Sequence, residues 1–391
     1  MRVLVLGGYG LVGLEIVRAL REGGLDVAGF GRSVALGKRL TPGIAWLGGD
    51  LAQFTRPQDW AVSLEGIDAV VNASGALQDS FKDRLAVSQD ASISALIAAC
   101  EAAGIKKFVQ ISAPGAEPGA STAFLRTKAS ADAALRASKL DWTILKPGLV
   151  ISGNSYGGTT LLRMLAAFPL VQPLVLGGAR IQTVAGSDVG AAVLAVLTGG
   201  APARHDYDLV EDQAHELRAV VEAIRLWVGR EPAGCEAALP RWMGVCVAML
   251  ADAAGWLGWR SPLRSTALKV LAADVLGDPR PWTEVTGRRL KSLEETLRAL
   301  PSSLQERVFG RAQLVFPVLV VTLAGFFLAS GAIGWAQRDQ AAAVLEGTIA
   351  AGNAGRLVGA GAALDLLIGI GLLVRRWTRR AAWGGILLSA A

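Results

Sequence analysis

Residues 3–13 read Val-Leu-Val-Leu-Gly-Gly-Tyr-Gly-Leu-Val-Gly, and this stretch decides the fold. Val3–Leu6 predicts a buried strand, and the apolar periodicity of Leu11–Glu22 predicts a helix that ends at two glycines. Three glycines at this spacing between a strand and a helix are typical of a dinucleotide-binding loop. Gly7 permits the tight turn, Gly10 lets the backbone approach a pyrophosphate, and Gly13 allows close packing. The open alternative is a glycine-rich turn that binds nothing.

The rhythm of strand and helix continues through the first 150 residues. Further apolar, β-branched runs predict strands at Asp26–Gly31, Ile44–Trp46, Ala69–Ala73, Phe108–Ser112 and Trp142–Lys146. A long helical pattern, Phe81–Ala103, separates the fourth strand from the fifth and ends at a glycine. Strands that alternate with helices predict an α/β fold of Rossmann type, a doubly wound parallel sheet with helices on both faces.

The residue after the second strand bears on the cofactor. An NAD site places an acid there for the ribose 2′-hydroxyl, whereas an NADP site places an arginine for the 2′-phosphate. Here Arg32 and Ser33 follow the strand, and Arg32 lies nineteen residues after Gly13. Because a guanidinium can bind phosphate through two hydrogen bonds, NADP(H) is favoured over NAD(H). A solvated arginine without a ligand is the alternative.

Composition limits the protein classes. The 391 residues are 52% hydrophobic and 18% charged, which excludes disorder as the main state and departs from an ordinary cytosolic enzyme. Lys and Arg exceed Asp and Glu by 39 − 33 = 6, without a basic, aromatic-rich segment typical of nucleic-acid binding. Three scattered cysteines and two histidines favour neither disulfides nor a metal site. A strand-like run beginning at Arg2 leaves no room for a cleavable signal.

The middle of the chain is less regular. Leu161–Phe168 and Val189–Leu197 predict helices, and Tyr207–Val210 predicts a late strand. The apolar stretch Trp242–Trp259 is marginal as a membrane span, and a helix of a substrate region or an interfacial helix is preferred. The expected domains are residues 1–215 for the nucleotide, 216–310 as a helical connector, and 311–391 as transmembrane helices.

Most of the apolar excess lies near the C-terminus. Leu314–Ala336 holds 23 residues without a charge, about 35 Å as a helix, which is enough to cross a bilayer. Leu357–Val374 predicts a second span of 18 residues that contains Asp365. Ala381–Ala391 begins a third apolar run that is too short to cross, and the two alternatives are a truncated chain and an end that lies half-inserted. An acid inside a span faces a bundle interior, a partner or water, or else lies near an interface.

Basic residues near the spans predict their orientation. Arg307 and Arg311 precede the first span, and four arginines follow the second (Arg375, Arg376, Arg379 and Arg380). The connecting segment is poorer in basic residues. The positive-inside rule then places both basic ends, and the N-terminal domain, in the cytoplasm of a bacterial-type inner membrane. The expected partners are a lipid bilayer and an unknown small-molecule substrate, with a membrane-protein complex as a further candidate, but no nucleic acid.

These motifs resemble the atypical and extended short-chain dehydrogenase/reductase superfamily over roughly residues 1–215. Its Gly-x-x-Gly-x-x-Gly loop corresponds to residues 7–13, and its cofactor-contacting loop to Val71–Gly75. Ser112 stands where the fifth strand presents a serine near the nicotinamide, and Lys146-Pro147-Gly148 resembles the turn into the substrate region. The chain is most similar to NmrA-like proteins and to the nucleotide-binding accessory subunit of respiratory complex I. The tail, with Trp282, the Leu300–Pro301 stop and the later spans, resembles DoxX-like membrane domains.

The resemblance also implies a catalytic pattern that this chain breaks. Reductases of the superfamily carry Tyr-x-x-x-Lys, in which the tyrosine is the general acid and the lysine holds the nicotinamide ribose. The matching segment is Phe124-Leu-Arg-Thr-Lys128, and phenylalanine has no proton to give. Lys128 remains, Tyr156 is a substitute acid or else a surface tyrosine, and Ser112 either polarises a carbonyl or makes a local hydrogen bond.

The sequence therefore supports three hypotheses about the function. The first is a membrane-tethered NADP(H)-dependent oxidoreductase acting on a substrate such as a quinone or isoprenoid. The second is a non-catalytic NADP(H)-binding sensor or accessory protein of a membrane complex, and the third a membrane protein with an empty nucleotide fold. The candidate catalytic residues are Lys128, Ser112 and Tyr156. The candidate cofactor-binding residues are Gly7, Gly8, Tyr9, Gly10, Leu11, Val12, Gly13, Arg32, Ser33, Asp50, Leu51, Ala73, Ser74, Gly75, Ser112, Lys128 and Pro147.

Overall fold

The computed structural model describes residues 1–75, 85–259, 261–344 and 351–390. The chain divides into two compact units. The first unit comprises Met1–Met249 and Pro262–Arg307, and the second comprises Leu250–Ser261 and Val308–Ala391.

The strands all belong to the first unit. In chain order they are β1 Arg2–Leu6, β2 Asp26–Gly31, β3 Ala45–Gly48, β4 Ala69–Asn72, β5 Lys107–Ile111, β6 Asp141–Pro147, β7 Leu149–Ile151, β8 Val171–Leu174, β9 Arg180–Ile181, β10 Thr183–Ala185, β11 His205–Leu209, β12 His215–Glu216 and β13 Cys235–Ala238. Seven of them form one sheet in the order β11-β6-β5-β4-β1-β2-β3, and every neighbouring pair in it is parallel.

This sheet confirms the predicted Rossmann-type fold. Each predicted strand is found within two residues of its expected bounds. The strand order reverses between β1 and β4, which pair in register from Val3 opposite Ala69 to Leu6 opposite Asn72. In doubly wound sheets, ligands bind at the carboxyl ends of the strands beside such a reversal. The glycine loop after β1 lies at this point.

The helices connect the strands and continue to the C-terminus. They are α1 Leu11–Glu22, α2 Val34–Leu40, α3 Ser92–Ala102, α4 Ala123–Ala137, α5 Gly158–Ala166, α6 Gly186–Leu197, α7 Leu217–Trp227, α8 Arg241–Trp256, α9 Ser265–Ala272, α10 Arg280–Thr286, α11 Leu293–Ala299, α12 Leu304–Ala336, α13 Arg338–Val344, α14 Ala354–Leu373 and α15 Thr378–Ala390. Short 3₁₀ turns occupy Leu51–Gln53, Pro57–Trp60, Val62–Leu64 and Ala351–Asn353.

Both faces of the sheet are buried, which explains why its strands are apolar without alternation. Val3 and Val5 point to one face and pack with residues of α1 and α6. Leu4 and Leu6 point to the other face and pack with residues of α3 and α4. Successive side chains of a strand point to opposite faces, so each strand contributes to two cores. The sheet is thereby held between two helical layers.

The helical pattern predicted over Phe81–Ala103 is not uniform in the structure. Residues 81–84 lie outside the described residues, and Ala86–Ala91 form a π-helix that runs into α3. Such wide turns are rare, and they occur frequently at functional sites. This one faces α4, where the Thr127 hydroxyl donates to Oε1 of the buried Gln89 at 3.3 Å. Apolar periodicity alone did not distinguish the two helix types.

Two helices that reach into the second unit are long and apolar enough to cross a membrane, judged by length and composition. They are Leu304–Ala336 and Ala354–Leu373, which contain most of the two predicted spans. In their most apolar windows only 22% and 28% of the residues are buried, whereas a core helix of a soluble protein is mostly buried. The third apolar segment forms α15, which has 13 residues.

The acid inside the second of these helices has a partner on the first. The Ser330 hydroxyl of α12 donates to Oδ2 of Asp365 in α14 at 2.7 Å. Glycines on either side of this pair bring the helices close, because a Cβ at Gly331 or Gly369 would lie 2.7 Å from side-chain or backbone atoms of the opposite helix. Small residues that let helix backbones approach, and serine hydroxyls that hydrogen-bond across the interface, are typical contacts between helices in a bilayer. Asp365 therefore faces the neighbouring helix.

Candidate cofactor and active site

The glycine loop after β1 is shaped by backbone that approaches backbone. Gly7 adopts φ +70°, and a Cβ there would lie 2.9 Å from the Ala73 carbonyl oxygen. A Cβ at Gly13 would lie 2.1 Å from the Gly7 carbonyl oxygen, closer than any side chain permits. The first and third glycines of the motif are thus required by contacts within the loop, and the motif's spacing has a steric cause. Gly13 packs α1 on the loop itself.

The amides at the start of α1 are available to an anion. The Leu14 amide donates to the Gly10 carbonyl at 3.0 Å, which is the first bond of the helical ladder, and the Gly10 amide donates to Gly7 at 2.8 Å. The amides of residues 11–13 precede that ladder, and Gly10 has no side chain to cap them. Unpaired amides at a helix N-terminus bind phosphate groups. This cradle fits a dinucleotide pyrophosphate.

An indole that the sequence analysis did not single out supports this loop. The Trp46 ring fills space beside three glycines, because a Cβ at Gly8, Gly29 or Gly37 would lie 3.2, 2.6 or 2.4 Å from it. Its ring centroid lies 5.5 Å from that of Tyr9. The positions of glycine in β2 and α2 were the available signal, since each marks a close approach of a bulky group.

The predicted adenosine end lies where β2 and β3 finish. Arg32 is exposed directly after β2. The Ser33 amide donates to the Tyr9 hydroxyl at 3.2 Å, and its own hydroxyl caps α2 by accepting from Leu36. Asp50 caps the 3₁₀ turn that begins at Leu51, so Asp50 and Leu51 lie shortly after the end of β3. Neighbouring parallel strands end at one edge, so these predicted residues share the edge of the glycine loop.

Buried amides hold the loop after β4 in place. The Asn72 side-chain NH₂ donates to Oε1 of Gln110 on β5 at 2.9 Å. Oδ1 of Asn72 accepts from the Ser74 amide at 3.1 Å and from the Ser74 hydroxyl at 2.5 Å. The Ala73 amide continues the β1 ladder by donating to Leu6. The predicted cofactor-contacting residues 73–75 are therefore fixed beside the glycine loop.

Lys128 joins the ends of β4 and β5. It lies on α4, is 4% exposed, and its ammonium donates to the carbonyl oxygens of Ile111 at 2.7 Å and Ser74 at 3.1 Å. Two of its three N–H donors are used by these described residues, and a Cβ built on Gly75 would lie 3.7 Å from Nζ. Burial lowers the Lys128 pKa to about 8, opposed by the negative charge of Asp132.

A buried acid that sequence reasoning missed lies next to this lysine on the same helix face. Asp132 is 1% exposed, and the Ser112 hydroxyl donates to its Oδ2 at 2.5 Å. Burial raises the pKa of Asp132, while the Ser112 hydrogen bond and nearby cations lower it. The spacing of four residues from Lys128 was the signal in the sequence, since residues i and i+4 share a helix face.

The other candidate residues are placed as follows. Phe124 lies one turn before Lys128 and is half-buried. Pro147 ends β6, and the amide of the following Gly148 donates to the carbonyl oxygen of Leu209 in β11. Tyr156 lies in the loop between β7 and α5 and is 57% exposed. The structure brings Lys128 and Ser112 together at the carboxyl edge of the sheet, whereas Tyr156 is on an exposed loop.

Comparison with known protein families also indicates a dinucleotide cofactor. Residues 7–199 match a family described as NAD(P)H-binding. The matched segment begins at the glycine loop and contains β2 to β6 and Lys128. The chain carries an NAD(P)-binding Rossmann domain. The sequence of this domain is similar to those of NAD(P)H-binding proteins. Because the match ends at residue 199, the DoxX-like resemblance of the C-terminal helices stays a prediction.

Two characterised relatives share part of the chain. An NAD(P)H azoreductase from Xenophilus azovorans is 26% identical over 229 residues, which are 58% of this chain and 74% of that protein. The photosystem II assembly factor Ycf39 from Synechocystis is 34% identical over 147 residues, which are 37% of this chain and 44% of that protein. One relative is thus named for an activity and the other for assembly.

Solved structures show the same fold with either cofactor. The NADPH-dependent quinone oxidoreductase QOR2 of Escherichia coli, in complex with NADPH, covers 76% of this chain and 98% of its own with a TM-score of 0.57 at 16% identity. The Bordetella bronchiseptica enzyme WbmH, in complex with NAD⁺, covers 76% and 96% with a TM-score of 0.57 at 16% identity. These two structures share the fold and hold different cofactors, so the likeness does not decide between NAD(H) and NADP(H).

Proposed function

We propose that this protein is a membrane-anchored, NADP(H)-dependent reductase whose substrate forms a delocalised anion on reduction, as quinones do. The reduced nicotinamide, when bound, supplies a hydride to that substrate. The glycine loop binds the pyrophosphate, and Lys128 holds the nicotinamide ribose and presents a positive charge at the reacting end. This division of roles follows from the two ends of the site, the glycine loop between β1 and α1 and the end between β4, β5 and α4 that contains Lys128.

The observation that carries the proposal is the pair of residues at positions 124 and 128. The buried ammonium of Lys128 is kept, but Phe124 supplies no general acid one turn before it. Reduction of a simple ketone without an acid leaves an alkoxide, which is about as strong a base as hydroxide. Reduction of a quinone leaves a phenolate, whose conjugate acid has a pKa of about 10, so this delocalised anion is several kcal/mol less costly to form. A site without the tyrosine suits such substrates.

Arg32 supports NADP(H) as the cofactor. It follows β2 directly and is exposed at the edge where the adenosine ribose binds in this fold. No acid occupies residues 30–33, and a guanidinium binds phosphate more strongly than it binds a hydroxyl.

Membrane anchoring is supported by the two apolar helices and by the arginines that flank them. Arg307 and Arg311 precede the first apolar run, and four arginines follow the second, so both basic ends belong on the cytoplasmic side. An anchored domain meets lipid-soluble substrates at high local concentration. Quinones are such substrates, and one relative is named as an NAD(P)H azoreductase.

A second function has an observation in its favour. The absence of a tyrosine at position 124 equally suits a protein that binds NADP(H) without turnover and supports a membrane complex. The Ycf39 relative is named for assembly, although the shared 147 residues are less than half of that protein. In this case cofactor occupancy would stabilise the fold and signal the redox state.

One experiment separates the two functions. Full-length protein in lipid nanodiscs is titrated calorimetrically with NADPH and NADH, and NADPH oxidation is then followed with a ubiquinone analogue, an azo dye and a simple ketone. The reductase proposal expects tighter binding of NADPH and turnover of the quinone or azo dye well above that of the ketone. Tight binding with no oxidation by any of the three supports the second function. No heat from either cofactor would remove both.

A further inference from the structure

The hydroxyl of Ser112 and the carboxyl of Asp132 form a buried hydrogen-bonded pair at the end of the site proposed for the nicotinamide. Ser112 is fixed by its own amide, which donates to the Leu145 carbonyl at 2.8 Å and extends the β5–β6 ladder. Its hydroxyl lies 2.5 Å from Oδ2 of Asp132, and both side chains are at least 95% buried. Oδ1 of Asp132 has no hydrogen-bond partner among the described residues.

We propose that Asp132 is a positioning residue whose protonation decides whether the Ser112 hydroxyl accepts or donates a hydrogen bond in the active site. The proposal rests on the reductase function above and adds the group that protonates the delocalised anion after the hydride has been transferred. An ionised carboxylate only accepts, so the single Ser112 hydrogen is then committed to Asp132. A protonated carboxyl donates to the Ser112 oxygen, and the Ser112 hydrogen becomes free to point at the substrate.

The ionisation of Asp132 depends on its burial and on the charged groups around it. On α4 it is flanked by Lys128 and Arg136, and Lys146 reaches it from β6; all three favour its ionised form. Two of these cations, Arg136 and Lys146, are also paired with Asp206 of β11. From the π-helix packed against α4, Asp90 accepts a hydrogen bond from Ser130. Against these, burial favours the neutral form and raises the pKa of Asp132.

The proposed proton transfer is balanced in atoms and charge. The substrate anion that remains after reduction takes the Ser112 hydrogen, so an O–H or N–H bond forms on the substrate as the Ser112 O–H bond breaks. The Asp132 proton moves to the Ser112 oxygen at the same time, which leaves Asp132 ionised. Solvent then returns one proton to Asp132 before the next turnover. No further oxidant or reductant is needed.

The pH dependence of turnover tests this arrangement. Between pH 5 and 7, where Lys128 keeps its proton, the wild-type rate with a quinone should fall about tenfold per pH unit above the apparent pKa of Asp132. Asp132→Asn carries no titrating proton, and its rate should not change with pH over this range. Ser112→Ala should be slow at every pH. A wild-type slope retained in Asp132→Asn overturns the proposal.

Asp90→Asn is the matched control. Asp90 also accepts a hydrogen bond from a serine of α4, at 2.8 Å, but this pair is exposed at the surface. Asp90→Asn should keep both the wild-type slope and the wild-type affinity for NADPH. A slope lost in Asp90→Asn would show that surface carboxylates, rather than Asp132, control the profile.

A second measurement does not depend on turnover. Infrared difference spectra recorded on acidification should show a protonated-carboxyl band in the wild type and in Asp90→Asn, but not in Asp132→Asn. Because Asp132 donates to Ser112 in this state, the band should shift in Ser112→Ala. A band that is absent, or unmoved in Ser112→Ala, overturns the proposal even where the wild type reduces quinones. If the wild type binds NADPH and shows the band, and the band shifts in Ser112→Ala, but no substrate is turned over, then the reductase function is refuted and the coupling between Asp132 and Ser112 stands.

Discussion

The two halves of the candidate site are built from different materials. The glycine loop between β1 and α1 offers backbone amides to a ligand, and it requires that Gly7 and Gly13 carry no side chain. The end between β4, β5 and α4 is built from ionisable side chains that are buried, Lys128 and Asp132 among them. The first half offers fixed dipoles, whereas the second offers groups whose charge changes with pH. A substitution in the first half can therefore impair cofactor binding without changing the reaction, and a substitution in the second half can do the reverse.

Gly13→Ala should have the largest effect, because it damages the half made of backbone. The new Cβ would lie 2.1 Å from the Gly7 carbonyl oxygen, so the loop or helix must move. Overpacking of this kind costs about 3 kcal/mol of unfolding free energy, and NADPH affinity should fall more than about a hundredfold. Calorimetric titration and thermal unfolding measure both. Gly119→Ala, where a Cβ meets nothing within 4 Å, should match the wild type.

Lys128→Met should abolish the chemistry and spare the fold. Loss of the ammonium at the nicotinamide end should lower turnover by roughly a hundredfold or more, with a smaller loss of NADPH affinity. The matched control is Lys107→Met, since Lys107 also donates to a backbone carbonyl, that of Leu197, at the other end of β5. Equal loss of turnover in both variants would mean that the effect is structural.

The same lysine predicts two opposite pH dependences. Its pKa is lowered to about 8 by burial, so above pH 8 the folded protein loses a cation and turnover should fall. The unfolded chain keeps that proton up to about pH 10.4, so stability should rise between these values, by about 3 kcal/mol at most. Rates and denaturant unfolding measured from pH 7 to 10 test this. In Lys128→Met both dependences should disappear.

Arg32→Ala should have an intermediate effect that is confined to one cofactor. We expect NADPH affinity to fall by about ten- to a hundredfold while NADH affinity changes little, because the group proposed to bind Arg32 is the 2′-phosphate, which NADH lacks. Arg39→Ala, an exposed arginine at the end of α2, is the control. If NADPH and NADH weaken equally, Arg32 does not select between them.

Phe124→Tyr should have the smallest effect and the most specific one. It restores a phenol one turn before Lys128, so turnover of a simple ketone should rise severalfold while turnover of a quinone changes little. The ratio of the two rates is the measurement, and it cancels small differences in folding. An unchanged ratio would mean that the phenol at this position does not reach the substrate.

Much of the fold and of the backbone-built half was predictable from the sequence. Strands of a buried parallel sheet are short apolar runs, and the requirement for glycine at positions 7 and 13 is local, so Val3–Leu6 and the loop after it were identified directly. Arg32 was identified by its distance from the loop. The bounds of β2 were predicted without error.

The side-chain-built half was less predictable, for physical reasons. Asp132 was missed because its importance comes from burial and from Ser112, a partner twenty residues away that only folding brings near. The π-helix Ala86–Ala91 was missed because its sequence keeps an ordinary helical pattern. Tyr156 was singled out for its position in the chain, and in the structure its side chain is mostly exposed.

Trp46 makes three distant positions of the chain mutually dependent. Because one indole occupies the volume that side chains at residues 8, 29 and 37 would take, enlarging any of these glycines alone should be harmful. Trading the indole for a small residue would open a vacancy that a methyl group on β2 or α2 could refill. Revertants of such a damaging change should therefore arise at position 46, and a library that varies these four sites together should recover folded combinations that no single substitution reaches.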